Sequence, residues 1–572
     1  MRTPVLCMML LSAVTGAADL DRAVLRHRAS ENLTASLQPG QSRSAIWEFT
    51  APEDNGDVNC IRSVGDVDAD GIPDVVFTVY DAGYDFDDLV CVAGSSQGTP
   101  TVLWSVDSQQ GISGGGGYGP GCLATAADMN ADDIPDVLYG TAWGGRSFYA
   151  RSGVTGDSLW VLDTYDVPPS GWVYQVAPFV DITNDGVPEA LAAVGADANS
   201  IFCVDGASAG AASIVWSFGA DDGFMAVAVV GDVDGDNIPD VAAGNGANYE
   251  DDRVFCLHGA ASWPGSREIW SVHMGGVVRT VAAMPDLNGD SIPEVLAGSS
   301  TGMVRCCSGV DGGPLWTRNV GDSIMKLSPL EDQNGDGVPE VAIGWWENAI
   351  LCLNGSDGAT LWSTPTGTVN GGDVWTVAAI DDLDGDGRQD VVAGSFDTKV
   401  YVVRGTDGAV LGTFAAGRRL YFVDSMPDVD GDELAEVLAG TQGLYGSLAS
   451  GYCLSGGSFV PMQLRVSLQA GVLTLGWTPY PGAGAYWVFG APDHPHFAPG
   501  QAPDFLHRVA VLRPNVSTWS TINGVCDPAV NWCYLVMAVN AADQELMRSP
   551  RVGEFDFATG VRWTIASTQE AN

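Results

Sequence analysis

The residues best placed to do chemistry are carboxylates, and they recur in one spacing. The clearest run is Asp382-Leu383-Asp384-Gly385-Asp386-Gly387-Arg388-Gln389-Asp390. Its frame puts an acid at position 1, Asp or Asn at 3, Asp at 5, a turn residue at 6 and Asp or Glu at 9. That frame starts eight times. The copies are Asp66, Asp68, Asp70, Asp74; Asp128, Asn130, Asp132, Asp136; Asp181, Thr183, Asp185, Glu189; and Asp232, Asp234, Asp236, Asp240. They continue as Asp286, Asn288, Asp290, Glu294; Asp332, Asn334, Asp336, Glu340; Asp382, Asp384, Asp386, Asp390; and Asp428, Asp430, Asp432, Glu436. In a tight loop, positions 1, 3 and 5 aim oxygens at one point. Position 6 turns with φ > 0, position 7 offers its carbonyl, and position 9 returns a carboxylate. Such an all-oxygen site selects Ca²⁺ over metals that prefer softer ligands, which gives up to eight ions per chain. Ordinary Asp-Gly turns need only one or two such residues. Four converging carboxylates repel one another unless a cation joins them. The loops starting at Asp66, Asp232 and Asp382 fit most fully. The loop at Asp181 fits least, with Thr183 at position 3. No acid–base or nucleophile constellation is legible, so no catalytic residue is assigned.

These loops need elements to hold them. Loop starts lie 46 to 62 residues apart, a period that points to a propeller or solenoid. An apolar run precedes each loop, as in Trp375 to Ile380, and a β-rich run follows, as in Val391 to Gly394. A third run, Val400 to Val403, reaches the turn Gly405-Thr406-Asp407-Gly408, and a fourth closes the unit. Four short strands per repeat describe a blade. Trp104, Trp160, Trp216, Trp270, Trp316 and Trp362 mark the fourth strand of the first six units, and unit seven has Gly412 there. Unit eight lacks this strand, while Ala45-Ile46-Trp47-Glu48-Phe49 supplies a match ahead of unit one. The expected fold is all-β: an eight-bladed propeller over 45–456, with blade eight completed by the N-terminal strand. Ring closure removes two open edges.

Composition narrows the partners. The chain has 572 residues, 71 Asp+Glu against 25 Lys+Arg, and a net charge of -46. That acidity argues against nucleic acid. Disorder is excluded by 46% hydrophobic residues and 18 Trp. Eight Ca²⁺ add sixteen positive charges, moving −46 to about −30. Arg2, the apolar stretch Val5 to Val14 and the small residues Thr15 to Ala18 read as a signal peptide over 1–18, followed by a segment 19–44. No later stretch is long enough to span a bilayer. The expectation is a secreted protein, in a compartment rich in calcium and permissive to disulfides.

The run Val64-Gly65-Asp66-Val67-Asp68-Ala69-Asp70-Gly71-Ile72-Pro73-Asp74-Val75 resembles the FG-GAP repeat of integrin-α-type propellers, and Asp232 to Val241 resembles it again. The resemblance covers about 45–456. It implies calcium in the inter-strand loops and interaction through the opposite face. The family commonly uses seven blades. The loop start also resembles an EF-hand, but the acid closes at position 9 and strands flank it. The outer strands, as in Gly355-Ser356-Asp357-Gly358-Ala359-Thr360-Leu361-Trp362, are similar to the tryptophan-docking segments of quinoprotein dehydrogenases. Adjacent Cys306 and Cys307 resemble the vicinal disulfide of those enzymes. Yet Cys306 shares a third-strand position with Cys91, Cys203, Cys256, Cys352 and Cys453, and no C-x-x-C-H motif is present. Rhamnogalacturonan lyases are another eight-bladed, calcium-loop group. They need a base and cations around a uronate, whereas this chain has only Lys326 and Lys399 as lysines.

Beyond residue 457 the repeat ends. Val472 to Trp477, Ala485 to Phe489 and Cys533 to Val539 resemble strands of a fibronectin type III sandwich over 461–557, with a tail over 558–572. Such modules act as spacers or contact surfaces. Cys526 and Cys533 are expected to form a disulfide. Cys60 and Cys122, each on a first strand, are expected to reach a third-strand Cys or to stay as buried thiols. His494 and His496 read as loop residues. The face opposite the calcium loops carries Tyr84, Trp172, Tyr174, Arg279, Trp375, Arg418 and Tyr421. Aromatics with scattered charges on a concave face suit an extracellular glycan or protein ligand. A binding, adhesion or scaffold role is the favoured reading. A polysaccharide-active enzyme is the alternative, and a quinoprotein dehydrogenase a more distant one.

Overall fold

The structure is a computed structural model. It describes residues 45–54, 57–80, 89–107, 115–116, 121–143, 146–164, 171–196, 198–247, 251–368, 371–432, 434–443 and 448–459. In the C-terminal part it describes 464–469, 472–477, 480, 483–492, 508–514, 516–521, 532–539, 545–549, 552–556 and 562–566. Tyr84, Cys526, His494, His496 and the segment 1–44 lie outside the described residues, and so does the Cys526–Cys533 pairing.

Valine- and alanine-rich runs of five to eight residues form antiparallel sheets, as β-branched side chains and tight turns dictate. Each sheet is a meander of four strands in chain order. Sheet six, for example, consists of Ile324–Pro329, Val341–Trp345, Ala349–Leu353 and Thr360–Pro365. The second sheet gains a short fifth strand, Gly210–Ala211, parallel to Trp160 and Val161. The eighth sheet joins Leu420–Met426, Glu436–Thr441 and Leu448–Leu454 to the N-terminal strand Trp47–Asp54. Trp47 pairs with Cys453 there. First strands pack on first strands of neighbouring sheets throughout, and Leu420–Met426 packs on Asp57–Ser63 of the first sheet.

The fourth-strand tryptophans fasten each sheet to the next. The indole N–H of Trp316 donates to the Gly355 carbonyl at 2.7 Å, and Trp362 donates to that of Gly405 at 2.7 Å. Trp104, Trp160, Trp216 and Trp270 make the same bond to Gly153, Gly206, Gly259 and Gly309. The ring lies flat on a second glycine. Gly358 has φ +72°, and a Cβ there would sit 2.6 Å from Trp316. Each such tryptophan faces a third-strand residue, and for Trp104, Trp216, Trp270, Trp316 and Trp362 that residue is a cysteine. Cys306 and Cys307 are therefore buried thiols of the blade pattern rather than a disulfide. Cys60 and Cys122 do not turn to the third strands. They stay as free, buried thiols within hydrogen-bond reach of one another, and the Cys60 thiol also donates to the Leu123 carbonyl at 3.8 Å.

Beyond residue 463 the strands form two further sheets. Leu464–Gln469, Val472–Trp477 and Thr518–Thr521 make one; Ala485–Pro492 and Trp532–Val539 centre the other. Leu473, Leu475 and Trp477 share a core with Tyr486, Val488, Tyr534 and Val536, so the two sheets pack face to face. A last strand, Arg562–Ala566, pairs with Val552–Asp556 inside the segment read as a tail.

Candidate metal centres and ligand face

Each acidic loop joins the first strand of a sheet to its second. Position 1 is the hub. Asp66 Oδ2 accepts the Gly71 N–H at 2.8 Å and Oδ1 the Asp70 N–H at 3.0 Å. Asp128, Asp181, Asp232, Asp286, Asp332 and Asp382 accept the position-6 N–H in the same way. The Ser291 N–H, with those of Gly289, Asp290 and Asn288, holds the Asp286 carboxyl below its usual range against the opposing effect of burial. The chain turns left-handed at position 6, as at Gly71 (φ 90°), Asp133 (φ 71°) and Asn237 (φ 67°). It also turns left-handed at position 4, from Ala69 (φ 61°) to Gly431 (φ 83°), which the sequence frame does not specify. Two such turns separated by one residue fold positions 1, 3 and 5 onto one side.

Position 9 behaves differently. Asp74, Asp136, Glu189, Asp240, Glu294, Glu340, Asp390 and Glu436 are fully buried. Asp74 accepts the Val67 N–H at 2.7 Å with one oxygen and the Gly94 N–H at 2.8 Å with the other. It thereby ties the loop to the turn after the third strand. Burial raises all eight pKa values, Asp136 and Asp240 to about 6, Glu340 to about 7, Asp390 and Glu436 to about 8.

Carboxylate oxygens of Asp66, Asp68 and Asp70 lie within 4.8 Å of one another, as do those of Asp232, Asp234 and Asp236. At Asp428 the set includes all four acids. This is the oxygen-rich donor set that a hard divalent cation takes. Three loops carry complications. Thr183 bonds Glu189 through both backbone N–H and hydroxyl. His258 Nδ1 lies 2.5 Å from Asp234 Oδ2, with its ring stacked on Trp263. Arg404 Nε lies 2.5 Å from Asp384 Oδ2. The loop at Asp382, among the fullest by sequence, thus already holds a cation of the protein's own.

The opposite strand ends carry the aromatic residues. Tyr174, Arg279, Trp375 and Tyr421 each stand seven residues before a loop, so they occupy one repeat position. Trp375 stacks on Phe396 at 5.2 Å and 14°, on Trp346 at 6.4 Å, and leans on Tyr421 at 5.6 Å. Arg419 caps Phe396 at 4.9 Å, and Trp346 is 42% exposed. Trp172 and Tyr174 form a separate pair at 6.0 Å. Arg418 turns away and donates to Ser450 Oγ at 2.8 Å. Sequence reasoning missed Trp346 and Phe396, yet both stand six residues after a position-9 acid, so register alone could have found them.

No protein-family model matches the chain, and no curated protein matches it. Among solved structures, Sqt1 of Saccharomyces cerevisiae is similar over 72% of this chain and 100% of its own, at 13% identity and a TM-score of 0.53. Sqt1 of Chaetomium thermophilum matches over 73% and 98%, at 13% identity and TM-score 0.49. BamB from Moraxella catarrhalis matches over 75% and 98%, at 14% identity and TM-score 0.42. At these identities the likeness is one of fold: the repeated four-stranded sheets are β-propeller-like.

Proposed function

We infer that this chain is a calcium-loaded, exported binding or scaffold propeller. Its eight blades are of the FG-GAP type, the N-terminal strand completes the last blade, and a fibronectin type III-like module follows. The observation that carries the reading is the repeated loop geometry: a buried acid at position 9 in all eight loops, with acids at positions 1, 3 and 5 clustered above it in the loops at Asp66, Asp232 and Asp428. The succession of first-strand contacts and the Trp47 strand support ring closure. When bound, the ions supply charge neutralisation and loop cross-linking, and the chain's own residues do the rest. Residues at positions 1, 3 and 5 ligate, while the position-9 acid orients the loop through backbone N–H groups. The ligand surface is the aromatic cluster of Trp346, Trp375, Phe396 and Tyr421, whose stacked faces and the adjacent Arg419 suit an extracellular glycan or a protein. A glycan and matrix-protein array tests it. Trp346→Ala with Trp375→Ala should abolish the signal while leaving the melting temperature within a few degrees. Unchanged binding would reject this face.

A further inference from the structure

The inner strands carry one residue each at the position paired with the second residue beyond the position-9 acid. At this level five sheets place alanine: Ala124, Ala177, Ala228, Ala282 and Ala378. The other three place Arg62, Ser328 and Asp424. All eight are partly exposed, so they line a solvent-reaching space. The polar residues gather at one side of it, in a cavity of about 210 Å³ that also takes in Lys326, Thr376 and Phe422. Arg62 pairs with Asp424 at 2.7 Å and lies on Phe422 at 4.4 Å. The Lys326 ammonium has no hydrogen bond or ion pair among the described residues. Burial and the Arg62 charge lower its pKa, while Asp424 raises it. The Thr376 hydroxyl, 1% exposed and lining the same cavity, also has no partner. Two cationic side chains, Arg62 and Lys326, line the cavity beside one carboxylate, Asp424, in a chain of net charge -46.

We propose that this cavity binds a small oxyanion, with Lys326 and Arg62 supplying charge and the Thr376 hydroxyl donating a hydrogen bond. The site goes beyond the calcium and aromatic-face reading and stands on different residues. Ligands of this chemistry include the carboxylate of an acidic sugar and a phosphate monoester. Asp424 keeps Arg62 oriented and limits the site to anions of low charge.

The test is isothermal titration of the calcium-loaded full chain with galacturonate, succinate and methyl phosphate, which separates the sources. The expected result is saturable binding of at least one probe. Binding should weaken about tenfold or more in Lys326→Met and measurably in Thr376→Val, the loss of a charged and a neutral hydrogen bond. It should be unchanged in Lys399→Met, which removes the chain's other lysine. Thr376→Val keeps the test decisive if Lys326→Met does not fold. No heat from any probe up to 20-millimolar order (about 20 mM, where the affinity would be negligible) overturns the proposal. Equal binding by the Lys326 and Lys399 variants overturns it too. Calcium-dependent melting is read in parallel, so failure of this site and failure of the calcium reading are distinguishable.

Discussion

Two kinds of carboxylate share the loops, and in those at Asp128, Asp286 and Asp332 they answer pH in opposite ways. At position 1, Asp128, Asp286 and Asp332 are held below the usual carboxylate range by backbone N–H groups, against the opposing effect of burial. Those at position 9 are buried and titrate high, Asp390 and Glu436 near 8. A raised folded-state pKa means the folded calcium-free chain holds protons that the unfolded chain releases. Stability contributed there is present at low pH and is lost as pH rises from about 4 toward 8. On the proposed calcium reading, a bound ion would compensate the ionised form. The melting temperature in EDTA should therefore fall between pH 5 and 8, and the increment from calcium should grow over the same range; a constant increment would contradict this. Arg404 defines a second prediction. Arg404→Ala frees Asp384, so the loop at Asp382 should bind calcium more tightly, read as one added or tighter site by calorimetry. The four-residue oxygen pattern was legible in the sequence. Arg404 and His258 were not, because they arrive from the turn after the third strand and only folding brings them to position 3.

At the scale of the element, the tryptophan latch makes a stability prediction. Trp316→Leu removes the bond to Gly355 and part of a buried ring, and should cost about 3 kcal/mol. Gly358→Ala forces a Cβ to 2.6 Å from the same ring at φ +72°, and should cost at least ~1 kcal/mol. Denaturant titration measures both; a change below ~0.5 kcal/mol in either would show that the latch is not what joins adjacent sheets. Strand order and the Trp register were readable because period-2 alternation and turn residues are local signals. The left-handed turn at position 4 was not readable, since Ala69 and Ala131, residues that disfavour it, adopt it as Gly235 does. The Cys60–Cys122 contact was hidden for another reason. It joins the strand Asp57–Ser63 to the residue just ahead of the strand Leu123–Thr125, and sequence spacing says nothing of which side chains meet between sheets.

For the whole molecule, the succession of first strands returns from the eighth sheet to the first, and the strand Trp47–Asp54 finishes the eighth. Deleting residues through 54 would bare the edge of Leu448–Leu454. The shortened chain should melt lower and associate in solution, both visible by scattering during a thermal ramp. The pairing of Trp47–Asp54 with the eighth sheet was inferable because the missing strand and the extra strand sit at opposite ends of one repeat array. The cavity around Lys326 was not inferable, as its cations come from sheets one and six. The central claim is that calcium holds these loops together. Its most direct measurement is the thermal melt of the full chain with calcium and after exhaustive chelation, together with the bound metal content. The expected result is several ions per chain and a melting temperature that drops by ten degrees or more on chelation (about what the loss of several kcal/mol gives). An identical melt in excess EDTA, with no calcium retained, would contradict it.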